Sequence, residues 1–301
     1  MKKAAVILAF LAMVPVLVSA QVHIVYTGDS VVLVTAGVTH GSVQWQSSGD
    51  QINWADEPGW TFDSVSFPPP DSLTWYRAKI LSGTCQPVYS PAQAVRKFVC
   101  GDTITDYRDG RQYPTVLIGS QCWMGKNMNV GVMVPGAQTM TNDSVIEKYC
   151  FDNDTNNCNI HGALYQWDEL MDYSNAPASQ GICPKGWHVP TDQSLLSLEI
   201  FLGMDPGVAN LMNTWRGTDE GTKLKQGGTS GFNANLTGVR YDGGYFYNNG
   251  TFEYLYTSNT YSFNTLLALR RCLSDPDPKV GRYNNTTKTN GGSLRCLKNA
   301  P

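Results

Sequence analysis

Charge is scarce in this chain. Asp, Glu, Lys and Arg make up 16% of its 301 residues, against about 25% in an average soluble protein, which excludes a charge-laced coiled coil. There is no basic excess either. The 22 Lys and Arg stand against 25 Asp and Glu, a net −3, so no nucleic-acid partner is expected, because such binding needs a surplus of cations to displace counterions. Beyond the first twenty residues no long apolar run occurs, and no membrane anchor is expected. The eight cysteines include no C-x-x-C pair, and none of His23, His40, His161 and His188 stands in an H-E-x-x-H context, so zinc has no site. There is no G-x-S-x-G elbow, and Gly227-Gly228-Thr229-Ser230-Gly231 lacks the lysine of a phosphate loop. Catalytic, cofactor-binding and metal residues are therefore all expected to be none, and the chain is not expected to be an enzyme.

The residues present say more about compartment than about chemistry. Met1-Lys2-Lys3, an apolar run from Ala4 to Val18 and the small-residue site Val18-Ser19-Ala20 lay out a signal peptide over residues 1–20, with cleavage after Ala20. No cysteine follows that site to take a lipid. An exported chain, extracellular, at the cell surface or periplasmic, is the expectation. In an oxidising compartment an even number of cysteines implies disulfides. Eight cysteines allow 105 pairings, and only the short spacing of Cys150 and Cys158 favours a particular bond.

Two domains are expected, at 21–97 and 100–301. In the first, Val31-Val32-Leu33-Val34, Ser42-Val43-Gln44-Trp45-Gln46 and 73–80 read as short strands between Gly, Pro and Asp clusters, the pattern of an all-β sandwich with Trp45 in its core. In the second, Asp109-Gly110 suits a hairpin turn. Ala163, Leu164, Trp167, Leu170 and Met171 have helical spacing across 162–173, with Asp168, Glu169 and Asp172 turned outward. Thr191 caps a second helix carrying Leu195, Leu198 and Leu202 on one face. Beyond Gly227 the chain returns to strands.

Two clusters invite a chemical reading. Asp152-Asn153-Asp154-Thr155-Asn156 begins like a calcium loop, but the sixth position is Asn157 and the twelfth Ala163, where glycine and an acid are needed; calcium is not predicted. Tyr241, Tyr245, Phe246 and Tyr247 surround Asp242-Gly243-Gly244 in a hairpin pattern. Tyr241, Tyr245 and Tyr247 are the candidate ligand-binding residues, able to stack on sugar faces beside Asn248 and Asn249, although strand alternation alone would also place Tyr245 and Tyr247 opposite Phe246.

The first domain resembles the immunoglobulin-like modules of secreted Bacteroidetes proteins, through Val43-Gln44-Trp45-Gln46-Ser47-Ser48, Thr74-Trp75-Tyr76-Arg77 and Ser82-Gly83-Thr84-Cys85. Such modules act as spacers. The second resembles the Fibrobacter succinogenes major paralogous domain family, through Cys100-Gly101, Ile118-Gly119-Ser120-Gln121-Cys122-Trp123-Met124, Gly162-Ala163-Leu164-Tyr165-Gln166-Trp167, Cys183-Pro184-Lys185-Gly186-Trp187-His188 and Gly292-Ser293-Leu294-Arg295-Cys296 in that order. It departs at Tyr254-Leu255-Tyr256-Thr257-Ser258, where the family has Trp before paired serines. This resemblance implies an α+β, C-type-lectin-like or formylglycine-generating-enzyme-like domain with two helices and an antiparallel sheet. It also implies that Cys183 bonds Cys296 and Cys100 bonds Cys122, which leaves Cys85 to bridge the domains with Cys272. The function implied is a noncatalytic, adhesin-like envelope protein whose partner is a glycan, a polysaccharide or another envelope protein. The alternatives are a formylglycine-generating-type enzyme, for which no closely spaced reactive cysteine pair exists, and a purely structural component.

Overall fold

The structure, a computed structural model, describes residues 5–10 (backbone only), 22–25, 29–35 and 41–299. The cleavage site expected after Ala20 and His40 lie outside these residues. The chain divides into two compact units at Val99 and Cys100.

Among the described residues the first unit has strands and no helix. In one sheet β1 (Ala5–Phe10) runs parallel to β3 (Ser30–Thr35), which pairs antiparallel with β6 (Ser64–Phe67). The other sheet has the order β2 (Val22–Val25), β9 (Gln93–Lys97), β7 (Thr74–Leu81), β4 (Ser42–Ser48) and β5 (Ala55–Asp56), with β8 (Val88–Tyr89) added beside β7. Alternation sends Val31 and Leu33 of β3, Val43 and Trp45 of β4, and Tyr76 and Ala78 of β7 into one core between the sheets. Trp45 is fully buried, and its indole N–H donates to the Phe62 carbonyl at 3.0 Å. Tyr76 packs against Phe67, with ring centroids 4.8 Å apart.

The second unit holds two larger sheets. One has the order β10 (Thr103–Asp106), β11 (Arg111–Ile118), β12 (Gln121–Met124), β22 (Leu297–Lys298) and β15 (Trp187–His188); the C-terminal strand thus closes beside strands from the start of the unit. The hairpin expected at Asp109-Gly110 joins β10 to β11, with Gly110 at φ +73 and its N–H donating to the Asp106 carbonyl. The other sheet has the order β16 (Thr214–Arg216), β21 (Val280–Thr287), β20 (Asn264–Ser274) and β19 (Phe252–Tyr261), antiparallel throughout. Two short ribbons pair β13 (Val132–Met133) with β14 (Glu147–Lys148) and β17 (Val239–Arg240) with β18 (Phe246–Tyr247). Ile118, Trp123, Leu195, Leu198, Phe232, Leu255, Leu273 and Val280 form the main core.

Five α-helices occur among the described residues where two were expected: α1 (Thr155–His161), α2 (Trp167–Leu170), α3 (Asp192–Phe201), α4 (Pro206–Ala209) and α5 (Glu220–Leu224). α3 starts where the sequence placed it. The Thr191 hydroxyl accepts the Ser194 N–H at 3.0 Å, and the Ser194 hydroxyl accepts the Thr191 N–H in return. The helix expected over 162–173 shrinks to the four residues of α2. Residues 163–165 are extended instead, because the backbone of Leu164 bonds Tyr149 and that of Tyr165 bonds Gly292. Glu169, expected to face outward, is buried.

Cys150 is bonded to Cys158, Cys183 to Cys296 and Cys100 to Cys122. The bridge expected between Cys85 and Cys272 is not formed: both are free thiols, Cys85 exposed and Cys272 buried within its own unit.

Candidate functional site

The three candidate tyrosines lie together on the β17–β18 hairpin. Val239 pairs with Tyr247 and Arg240 with Phe246, and the loop closes through the Tyr241 N–H to the Tyr245 carbonyl and the Gly244 N–H to the Tyr241 carbonyl. Strand alternation then splits the side chains. Phe246 turns inward onto Phe151, ring centroids 5.4 Å apart, against the cluster of Val134, Met140, Tyr149 and Leu164. Tyr241, Tyr245 and Tyr247 turn outward and are 40%, 67% and 51% exposed, with the rings of Tyr241 and Tyr247 edge to face at 5.7 Å. Beneath the loop, Gly244 (φ +94) lies so near Ala137 that a Cβ there would come within 2.8 Å of its backbone. Arg240 is buried; it stacks on Tyr149 and donates to the carbonyls of Gly136 and Thr289 at 2.8 Å each. The hairpin is therefore fixed from below and open above.

The amides next to it are partly spent. The Asn248 side-chain N–H donates to the Tyr254 hydroxyl at 2.9 Å, and Asn249 Oδ1 is buried without a hydrogen-bond partner. Burial pushes the Tyr254 phenol up to about 12, so it stays protonated and acts as acceptor from Asn248.

The run with calcium-like spacing does helical work instead. Asp154 caps α1 by accepting the Asn156 N–H at 2.9 Å, and the Asn157 amide donates to the Phe151 carbonyl. Asp168 and Asp172 are exposed, with Asp168 3.5 Å from Lys288 Nζ. Glu169 is buried and accepts the Glu147 N–H and the Tyr173 hydroxyl, and burial raises its pKa. His188 Nδ1 contacts Asn299 Oδ1 at 2.7 Å, and burial lowers its pKa. Away from the hairpin lie a polar cleft of about 400 Å³ lined by Arg111, Lys126, Asn129, Asn159 and Asn235, and one of about 580 Å³ that Asn235 shares with His161 and Lys225.

Sequence reasoning missed the sheet face beside the hairpin. Phe252 and Tyr254 of β19 point to the side away from Leu255, where Trp215, Arg270 and Tyr283 join them from three other strands. The signal was the period-two spacing of Phe252, Tyr254 and Tyr256. Their cross-strand company was not visible in it.

The family model described as the Fibrobacter succinogenes major domain matches residues 116–298, more than half of the chain, from the middle of β11 to β22. A domain of unknown function (DUF8696) matches residues 14–96. No curated protein matches the chain.

Proposed function

The chain belongs to the Fibrobacter succinogenes major domain family, and from that premise we propose that it is an exported, noncatalytic binding protein of the cell envelope whose hairpin tyrosines stack on a glycan. The observation that carries this reading is the outward set of Tyr241, Tyr245 and Tyr247 on a loop pinned by Phe246. Rigid aromatic rings held partly in water lose little entropy when a sugar face covers them. In this reading the N-terminal unit is an immunoglobulin-like spacer and the second a C-type-lectin-like head. The leader at 1–20, which includes β1, directs export and leaves on cleavage after Ala20, so that the mature spacer keeps β3 and β6 of that sheet; outside the cytosol the three disulfides are stable, and polysaccharides, host glycans and other envelope glycoconjugates are the partners to screen.

A panel of such saccharides against the whole chain tests it. Binding should persist in EDTA, and Tyr247→Ala should weaken it by about 1 kcal/mol or more with little change in thermal midpoint, since an exposed ring contributes little to the core. A blank panel, or a Tyr247→Ala variant whose midpoint drops sharply, makes the hairpin structural.

A further inference from the structure

The face of the β16–β21–β20–β19 sheet that points away from the main core is built from rings around one uncommitted cation. Register places Trp215, Gly281, Cys272 and Tyr254 side by side across the four strands, with Tyr283 opposite Arg270 in the next row. Phe252 stacks on Tyr254 at 5.7 Å with planes 12° apart, and Trp215 lies 6.4 Å from Phe252. Trp215, Phe252 and Tyr283 are partly exposed, while Tyr254 and Cys272 form a buried floor. Gly281 keeps that floor low: a Cβ there would lie 2.7 Å from Tyr283 and 3.5 Å from Trp215. The face continues into the hairpin through the hydrogen bond from Asn248 to Tyr254.

Arg270 is unlike the other buried or half-buried arginines of this unit. Arg216, Arg240, Arg271, Arg282 and Arg295 each spend two or more guanidinium nitrogens on carboxylates, amides or carbonyls. The Arg270 guanidinium instead lies 4.6 Å from the ring of Tyr254 and 5.6 Å from that of Tyr283. Its Nε, like those of Arg111 and Arg216, is buried with no hydrogen-bond partner, but unlike theirs its terminal nitrogens make no hydrogen bond among the described residues either, and no carboxylate there pairs with it. Stacking holds the planar group in place but gives Nε no acceptor, and a buried donor without an acceptor is costly. A carboxylate matches that fork with two parallel hydrogen bonds. The nearby acid, Asp277, sits in the β20–β21 turn, where its Oδ1 accepts the Lys279 N–H at 2.9 Å.

We propose that this sheet face is a saccharide site selective for acidic sugars: the pyranose ring stacks on Trp215, Phe252 and Tyr283, and Arg270 receives the uronate carboxylate. The proposal rests on the glycan-binding reading above and extends the hairpin surface into a specificity-determining one.

The whole chain is titrated calorimetrically with polygalacturonate, alginate and hyaluronate, each beside its carboxyl-reduced form. The acid form of at least one polymer should bind tenfold or more tightly than its reduced form. Arg270→Gln should remove that preference while changing affinity for the reduced form less than twofold, Arg270→Lys should keep part of it, and Trp215→Ala should weaken both forms. Thermal midpoints of both Arg270 variants close to that of the parent chain separate loss of recognition from loss of fold. Equal affinity for acid and reduced forms, or a preference that survives Arg270→Gln, overturns the proposal. If neutral saccharides bind through Tyr247 without any acid preference, the proposal fails and the glycan-binding reading stands; if no saccharide of either kind binds, both fail.

Discussion

Two cysteines with the same covalent state sit in opposite environments. Cys85 is exposed, whereas Cys272 lies on β20 under Trp215 and Tyr254, where burial pushes its thiol up to about 11. Only a thiolate attacks an alkylating agent. Iodoacetamide added to the folded, unreduced chain at neutral pH should therefore modify Cys85 alone, with Cys272 following only after denaturation, as peptide mapping reads directly. Comparable labelling of Cys272 would mean that the aromatic sheet face opens in solution. Glu169 makes the same point about environment, since its position between Asp168 and Leu170 gives no hint that its carboxylate is buried against the Glu147 N–H.

At the scale of elements, the hairpin and α2 show where periodicity succeeds and where it misleads. Alternation across β18 separates Phe246 from Tyr245 and Tyr247 because a strand sends successive side chains to opposite faces whatever lies around it. Over 162–173 the apolar positions repeat like a helix, yet Ala163, Leu164, Trp167, Leu170 and Met171 are all fully buried, as is Tyr165 between them. A segment buried on every side carries no usable period, and its conformation is decided by its backbone partners. The hairpin loop offers a direct test. Gly243 and Gly244 share φ +94, but a Cβ on Gly244 meets the Ala137 backbone at 2.8 Å while one on Gly243 meets only the Tyr245 ring at 3.6 Å. Gly244→Ala should cost about 1–3 kcal/mol and displace the tyrosines, with saccharide binding weakened at least as much as in Tyr247→Ala. Gly243→Ala should cost less and retain binding. Equal effects in denaturation and binding assays would assign the loss to backbone strain alone.

The second unit as a whole is joined by buried charge. Asp192, at the start of α3, accepts from Arg271 of β20 at 2.6 Å and Arg282 of β21 at 2.5 Å, and Glu199 on the same helix accepts from Arg271 at 2.6 Å and Arg216 of β16 at 2.9 Å. One helix is thus fastened to three strands of the sheet. Burial opposes ionisation of Asp192, but the two guanidiniums outweigh it and hold the carboxyl below its ordinary value of 3.8. A carboxyl depressed in the folded state contributes stability that is fully present above the unfolded value and is lost as pH falls through the folded one. Stability should therefore fall as pH drops below about 4. Asp192→Asn should cost about 3–5 kcal/mol at neutral pH, because it leaves buried Arg282 with no carboxylate and Arg271 with Glu199 alone, and should flatten the acid limb. Urea denaturation of both chains at pH 7 and pH 3 checks this; parallel pH profiles would remove Asp192 as its source.

The sequence by itself determined the ordered motif blocks that mark the family, the short strands of the first unit, the capped start of α3 at Thr191, and the placing of Phe246 on the face opposite Tyr245 and Tyr247. Each depends on neighbours a few residues apart, or on a motif order that a linear reading can follow. The same sequence named the Cys150–Cys158 bond by spacing, while Cys183–Cys296 needed the resemblance. Only the tertiary structure decided that Cys85 and Cys272 are free thiols, that Glu169 is buried, and that Asp154 caps a helix. It also decided which arginine is left without a hydrogen-bond acceptor among the described residues. Arg270 and Arg271 are adjacent in the chain, yet one is fixed by Asp192 and Glu199 and the other is stacked between Tyr254 and Tyr283. Strand alternation sends them to opposite faces of one sheet, and what each face meets is set by contacts far apart in sequence.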